Sequence, residues 1–241
     1  MKNKHLLGVA LCVFFCHETT AQFYLYDDFN DGAIDSSLWN LWLTGFGNSS
    51  LTEVSGNARF INGAGLITVS PFMNASVEGR FQMIGDSDDR FSVILRSDGT
   101  TFDSNWQTPI SGIGVEFRAS GNPTATPTLQ IVDLTTTTLL GQATPAIGMS
   151  TYYDFLIVDS GSDISVFLGG NASPVLSATS SLVYGNKVEI FNREQAAPWG
   201  PQHTSEMDFV TISQIPEPQS LFLLGGLGIL GYFLSRRETL H

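Results

Sequence analysis

Between residues 22 and 213, apolar side chains recur at every second position or in short unbroken runs, and almost nowhere at the spacing of an amphipathic helix. Along 75–84, Val77, Gly79, Phe81 and Met83 share one face while Glu78, Arg80 and Gln82 share the other, the pattern of a strand packed on one side. The same reading predicts strands at 23–26, 58–61, 66–69, 91–96, 113–118, 128–133, 152–159, 163–168, 187–191 and 207–213. Gly, Asn, Asp, Ser and Pro punctuate these runs, and Ser160, Gly161 and Ser162 supply the turn that makes 152–168 a hairpin. This many strands without a repeat unit predicts an all-β, two-sheet antiparallel jelly-roll sandwich rather than a propeller.

Both ends break the pattern. Lys2 and Lys4 precede an apolar run at 6–15, and a polar stretch ending in Thr19 and Ala21 comes next, which reads as a secretory signal cut by signal peptidase after Ala21. As a helix that run rises only about 15 Å, too little to span a bilayer. Near the C-terminus, Pro216, Glu217 and Pro218 precede an apolar, Gly-rich run at 221–234, closed by Arg236 and Arg237. This run reaches about 21 Å, so flanking residues or a thin bilayer must complete a transmembrane helix. The paired arginines stay cytoplasmic, which places everything before Pro216 outside, in agreement with the N-terminal signal. The expected organisation is a signal helix over 1–21, a β-sandwich over 22–214 and a membrane-embedded sorting tail over 215–241.

Charge narrows the partners. The chain carries a net charge of −12, and between Gln22 and Ile215 there are seven basic residues against 20 acidic ones. Nucleic acid is therefore excluded as a partner, since phosphate binding needs a clustered basic face. Cys12 and Cys16 both lie within the signal, so a mature chain has neither a disulfide framework nor a thiolate metal site and depends on its core.

The order Pro-Glu-Pro, apolar Gly-rich helix and terminal arginines resembles the PEP-CTERM sorting signal of bacteria. The resemblance implies recognition by an exosortase-type membrane protease, cleavage near Pro216-Glu217-Pro218, and delivery of an inner-membrane-anchored precursor to the cell surface or exopolysaccharide matrix of a Gram-negative bacterium. The opening Tyr26-Asp27-Asp28-Phe29-Asn30-Asp31-Gly32, the late strand at 207–212 and the hairpin around Phe155 and Phe167 are similar to concanavalin A-like lectin/glucanase (LamG-like) domains.

Catalysis on such a fold needs two carboxylates at one cleft, about 5 Å apart in a retaining glycosidase. No Glu-x-Asp-x-Glu run is present; Glu78, Glu116 and Glu189 are each the lone acid of their strand. His203 reads as plain surface, and a His-centred triad is hard to build. Asp27, Asp28 and Asn30 offer hard oxygen ligands for Ca²⁺, with Asp208 joining if the first and last strands pair. The competing and favoured reading is an Asx turn at Asn30-Asp31-Gly32, with Asp35 capping the next segment of chain. The loop 85–89 reads as a solvated turn, and Thr135 to Thr138 as a polar edge or loop. Trp39 and Trp42, flanked by Leu38, Leu41 and Leu43, read as core, whereas Trp106 and Trp199 sit in loop contexts suited to stacking on sugar rings.

The expectation is a non-catalytic, surface-sorted sandwich that binds extracellular polysaccharide or serves as matrix structure. A secreted glycan hydrolase of the same fold is the alternative.

Overall fold

The computed structural model describes residues 24–43, 49–85, 89–100, 111–119, 126–192 and 203–215. The signal, the sorting tail, Ala21, Trp106, Trp199, Pro216, Glu217, Pro218, Arg236 and Arg237 lie outside those residues. Among the described residues no helix is long and apolar enough to cross a membrane.

The alternating runs form β1 (Tyr24–Asp27), β2 (Trp39–Leu43), β3 (Ser50–Glu53), β4 (Ala58–Ile61), β5 (Ala64–Thr68), β6 (Ala75–Met83), β7 (Arg90–Ser97) and β8 (Ile113–Arg118). They continue with β9 (Thr128–Asp133), β10 (Thr138–Ala143), β11 (Tyr153–Asp159), β12 (Asp163–Leu168), β13 (Leu176–Thr179), β14 (Lys187–Asn192) and β15 (Thr204–Gln214). A back sheet runs β13-β12-β11-β6-β15-β4-β3, with β1 also paired to β15, and a front sheet runs β10-β9-β8-β7-β14-β5-β2. The pairings are antiparallel, and the expected hairpin forms with Phe155 opposite Leu168 and Asp159 opposite Ile164. The all-β, two-sheet antiparallel sandwich is therefore what the described residues build.

The sheets meet through rings. Phe81 and Phe155 of the back sheet pack on Phe91 and Phe117 of the front sheet, with Phe81 stacked on Phe91 at 4.6 Å between centroids and tilted on Phe117 at 4.8 Å. Removing one such ring costs about 3–5 kcal/mol, because the neighbours cannot collapse into the void. Gly79 makes the arrangement possible, since a Cβ there would lie 2.8 Å from the Phe209 carbonyl and 2.9 Å from the Phe155 ring. The face assignment of β6 holds: Val77, Phe81 and Met83 are buried while Glu78 and Arg80 are exposed.

Four strands escape the alternation signal: β2, β3, β10 and β13. All four end their sheets, and β2 corrects an expectation. Trp39 is buried, but Trp42 is only half-buried and Leu41 and Leu43 are 50% and 42% exposed, because β2 is an edge strand. Thr135, Thr136 and Thr137 form the turn between β9 and β10, and Thr138 opens the latter.

The readings of Asp89 and His203 are also corrected, while residues 86–88 of that loop lie outside the described residues. Asp89 is fully buried and accepts the Gly85 and Thr204 amides at 2.7 and 3.3 Å. His203 Nδ1 lies 2.6 Å from Asp89 Oδ1, and the His203 amide donates to Asn62 at 3.0 Å. Burial pushes the Asp89 carboxyl up, and its bond to His203 is the main opposing effect. The pair pins the entry of β15 instead of facing solvent.

Candidate glycan-binding face of the front sheet

Period-2 alternation fixes which front-sheet side chains point away from the core. Phe91, Val93 and Leu95 of β7, Ile113, Val115 and Phe117 of β8, and Val188 and Ile190 of β14 belong to the core. Ser92 and Ile94, Gly114 and Glu116, and Glu189 and Phe191 therefore point away from the core, and of these only Glu116 is not buried.

Register aligns these residues into a row. Gln142 lies opposite Gln130, Gln130 opposite Glu116, and Glu116 opposite Ser92. Ser92 lies opposite Phe191, Phe191 opposite Gly65, and Gly65 opposite Trp42. The row crosses all seven strands of the sheet. Its polar end is linked by a 3.3 Å bond from Gln130 Nε2 to Gln142 Oε1. At its other end the Trp42 and Phe191 rings sit 5.2 Å apart, tilted by 54°. They meet because Gly65 lies between them: a Cβ there would be 3.3 Å from both rings.

Two carboxylates lie on this face in different settings. Glu116 is partly buried; burial pushes its carboxyl up, and the charges of Arg90 and Arg118 work against that shift. Glu189 is 5% exposed and accepts the Ser97 hydroxyl. Burial pushes it up to about 7, opposed by that hydroxyl and reinforced by the Asp98 charge. Ser97 reaches Glu189 because β7 carries a bulge: Lys187 pairs with Ser97 but Glu189 with Ile94, and Arg96 takes a φ of 53°.

Glu116 and Glu189 stand on β8 and β14, with β7 between them, and one pleat out of line. Two strand spacings and two residues of rise put their Cα atoms about 12 Å apart. Each has its own neighbours, and the two do not share a proton-relaying partner among the described contacts.

Asp27, Asp28 and Asp208, the residues offered for Ca²⁺, each have local partners. β1 and β15 do pair, with Asp27 opposite Val210. Asp27 then accepts the Phe29 amide at 2.9 Å and the Trp39 indole at 2.7 Å. Asp28 accepts Asn30 Nδ2 at 2.7 Å, while Asp208, beside a bulge in β15, lies 3.6 Å from Arg80. Asp27 shares the core side with Val210, whereas Asp208 faces the Arg80 side, so the three do not converge. Among the described residues no group of three or more His, Cys, Asp or Glu is placed to hold a metal. The turn reading is what forms: Gly32 takes a φ of 91°, and Asp35 accepts the Ser37 amide at 2.7 Å. The acid that approaches this loop is Glu53, which accepts the Gly32 amide at 2.7 Å.

Comparison with known proteins gives two results. The model of the PEP-CTERM protein-sorting motif matches residues 214–237. No curated protein matches in sequence. Among solved structures, a β-1,3-1,4-glucanase (lichenase) derived from a mouse hindgut metagenome superposes with a TM-score of 0.57 at 13% identity, over 80% of this chain and 99% of its own. SCLam, a non-specific endo-β-1,3(4)-glucanase from family GH16, gives 0.56 at 14%, over 81% and 92%. The catalytic domain of a Thermotoga petrophila endo-1,3-β-glucanase (laminarinase) gives 0.53 at 11%, over 79% and 96%. At such identities the likeness shows the fold alone. The motif marks an exported, membrane-anchored precursor that exosortase processes and sorts to the cell surface of a Gram-negative bacterium. The chain is thus a surface-sorted protein that carries a PEP-CTERM motif behind a β-sandwich similar to the concanavalin A-like fold of the family GH16 glucanases.

Proposed function

We propose that the mature chain is a non-catalytic glycan-binding sandwich of the cell surface and its matrix, which holds polysaccharide on the outward face of the front sheet. The observation that carries this reading is the cross-strand row in which half-buried Trp42, backed by the buried Phe191 ring, lies in line with Glu116, Gln130 and Gln142 at the surface. An aromatic face such as that of Trp42 takes the apolar face of a sugar ring, and a line of carboxylate and amide groups takes its hydroxyls. Trp42 replaces Trp106 and Trp199 as the first aromatic to test, although both of those remain proposed contacts.

Hydrolysis is the second reading, favoured by the glucanase fold and by Glu189, whose carboxyl near 7 suits a general acid. Against it stand the intervening strand between Glu189 and Glu116 and the immediate capture of Glu189 by Ser97. A polysaccharide array probed with the full chain and with Trp42→Ala tests the binding reading. Retention of a neutral glucan by the wild type and its loss in Trp42→Ala is the expected outcome; equal retention by both would place the contact elsewhere.

A further inference from the structure

A recess lies on the outward face of the back sheet, on the opposite side of the sandwich from the front-sheet row. Its volume is about 370 Å³, within the range of small-ligand sites. Glu78 of β6, Asp154 and Leu156 of β11, Phe167 of β12 and the turn at Gly170 and Asn171 line it. Leu156 lies opposite Glu78 on one side and Phe167 on the other, so the three stand in one row. Two apolar side chains therefore form a floor with a carboxylate at its end, and Asp154 adds a second carboxylate one pleat away on Leu156's strand.

The rim is fixed. The Gly169 amide donates to the Asp154 carbonyl at 2.8 Å, and Asn171 Nδ2 to the Leu168 carbonyl at 2.8 Å. Gly169 and Gly170 take φ values of 64° and 72° that side chains would strain. The nearby cation is already committed: Arg80 lies 5.1 Å over the Tyr152 ring, 3.7 Å from Asp154 and 3.6 Å from Asp208. Glu78 has no cationic partner among the described residues. A chain of net charge −12 reinforces that local field, which repels uronate and sulfate groups and attracts ammonium groups.

We infer that this recess binds a protonated amino sugar, the ring lying on Leu156 and Phe167 and its ammonium facing Glu78 and Asp154. The ligand needs both features: a face apolar enough for the floor and a positive charge for the rim. The site is separate from the front-sheet row and stands whether or not that row takes glycan.

The test is a titration of the full chain, in detergent micelles, with a β-linked glucosamine tetrasaccharide and with its N-acetylated counterpart. Acetylation removes the charge and keeps the ring. The expected result is at least tenfold weaker binding of the acetylated sugar, and at least tenfold weaker binding of the amino sugar by Glu78→Gln and by Asp154→Asn. Both substitutions are near-isosteric and exposed, so the melting temperature should stay within a degree or two. Trp42→Ala should bind the amino sugar as the wild type does, which separates this site from the front-sheet reading. Equal affinity for the two sugars, no binding of either, unchanged binding by Glu78→Gln, or loss in Trp42→Ala would each overturn the inference.

Discussion

Arg96 of the front sheet and Asp159 of the back sheet meet inside the sandwich, Nε donating to Oδ2 at 2.8 Å and Nη2 to Oδ1 at 2.5 Å. Both side chains are buried, and Arg96 Nη1 also donates to the Ser180 and Leu182 carbonyls at 2.8 Å. The positive φ of Arg96 at the β7 bulge turns the guanidinium inward, so one irregular residue ties the two sheets together. Asp159→Ala should destabilise the domain by about 3–5 kcal/mol, because it strands a buried charge. Arg96→Met with Asp159→Leu should cost less than the single change, as urea unfolding of the wild type and the two variants will show.

Glu189 makes stability fall as pH rises. Its carboxyl goes from an ordinary 4.5 to about 7 in the folded chain, so between those values the native state binds the proton more tightly than the unfolded state does. The advantage is complete below 4.5 and is lost as pH climbs through 7, leaving a buried charge. Removing that charge with Glu189→Gln should raise stability at pH 8 by about 3 kcal/mol relative to wild type and leave pH 4.5 little changed. Thermal melts across this window that run parallel for both proteins would contradict the assignment.

The sorting motif at 214–237 begins where the last strand of the sandwich ends. β15 ends at Gln214, and Ile215 closes it by donating to the Asn74 carbonyl. The domain 22–215 should therefore unfold as cooperatively as the full chain, and in cells it should escape surface retention. Alanines at Pro216, Glu217 and Pro218 should leave an unprocessed membrane-bound precursor, since the apolar run at 221–234 remains while the processing motif is lost. Immunoblotting of membrane and surface fractions distinguishes the two outcomes.

Long strands with one wet face were legible in the sequence, and short edges were not. β6 and the β11–β12 hairpin carry enough alternating positions to fix both their extent and their inward face. β3 and β13 are short and carry only one buried side chain each, too weak a signal for alternation, and β2 looks like core because nothing local says it is an edge. The site was hidden for a different reason. Ser92, Glu116, Gln130 and Phe191 each show as ordinary outward residues, and only cross-strand register makes them neighbours. His203 was misread likewise, its partner Asp89 lying 114 positions away in sequence. Alternation could have nominated the outward polar residues of every apolar strand, but not which strands stand side by side.

The central claim is that the front face holds glycan without cutting it. It is tested most directly by incubating the full chain with a neutral β-glucan that it retains, and measuring bound sugar and new reducing ends in the same sample. The account predicts retention that falls at least tenfold in Trp42→Ala and weakens in Glu116→Gln, with reducing ends no higher than in a protein-free control. Reducing ends that accumulate with the wild type and vanish in Glu116→Gln or Glu189→Gln would contradict it and make the chain a hydrolase.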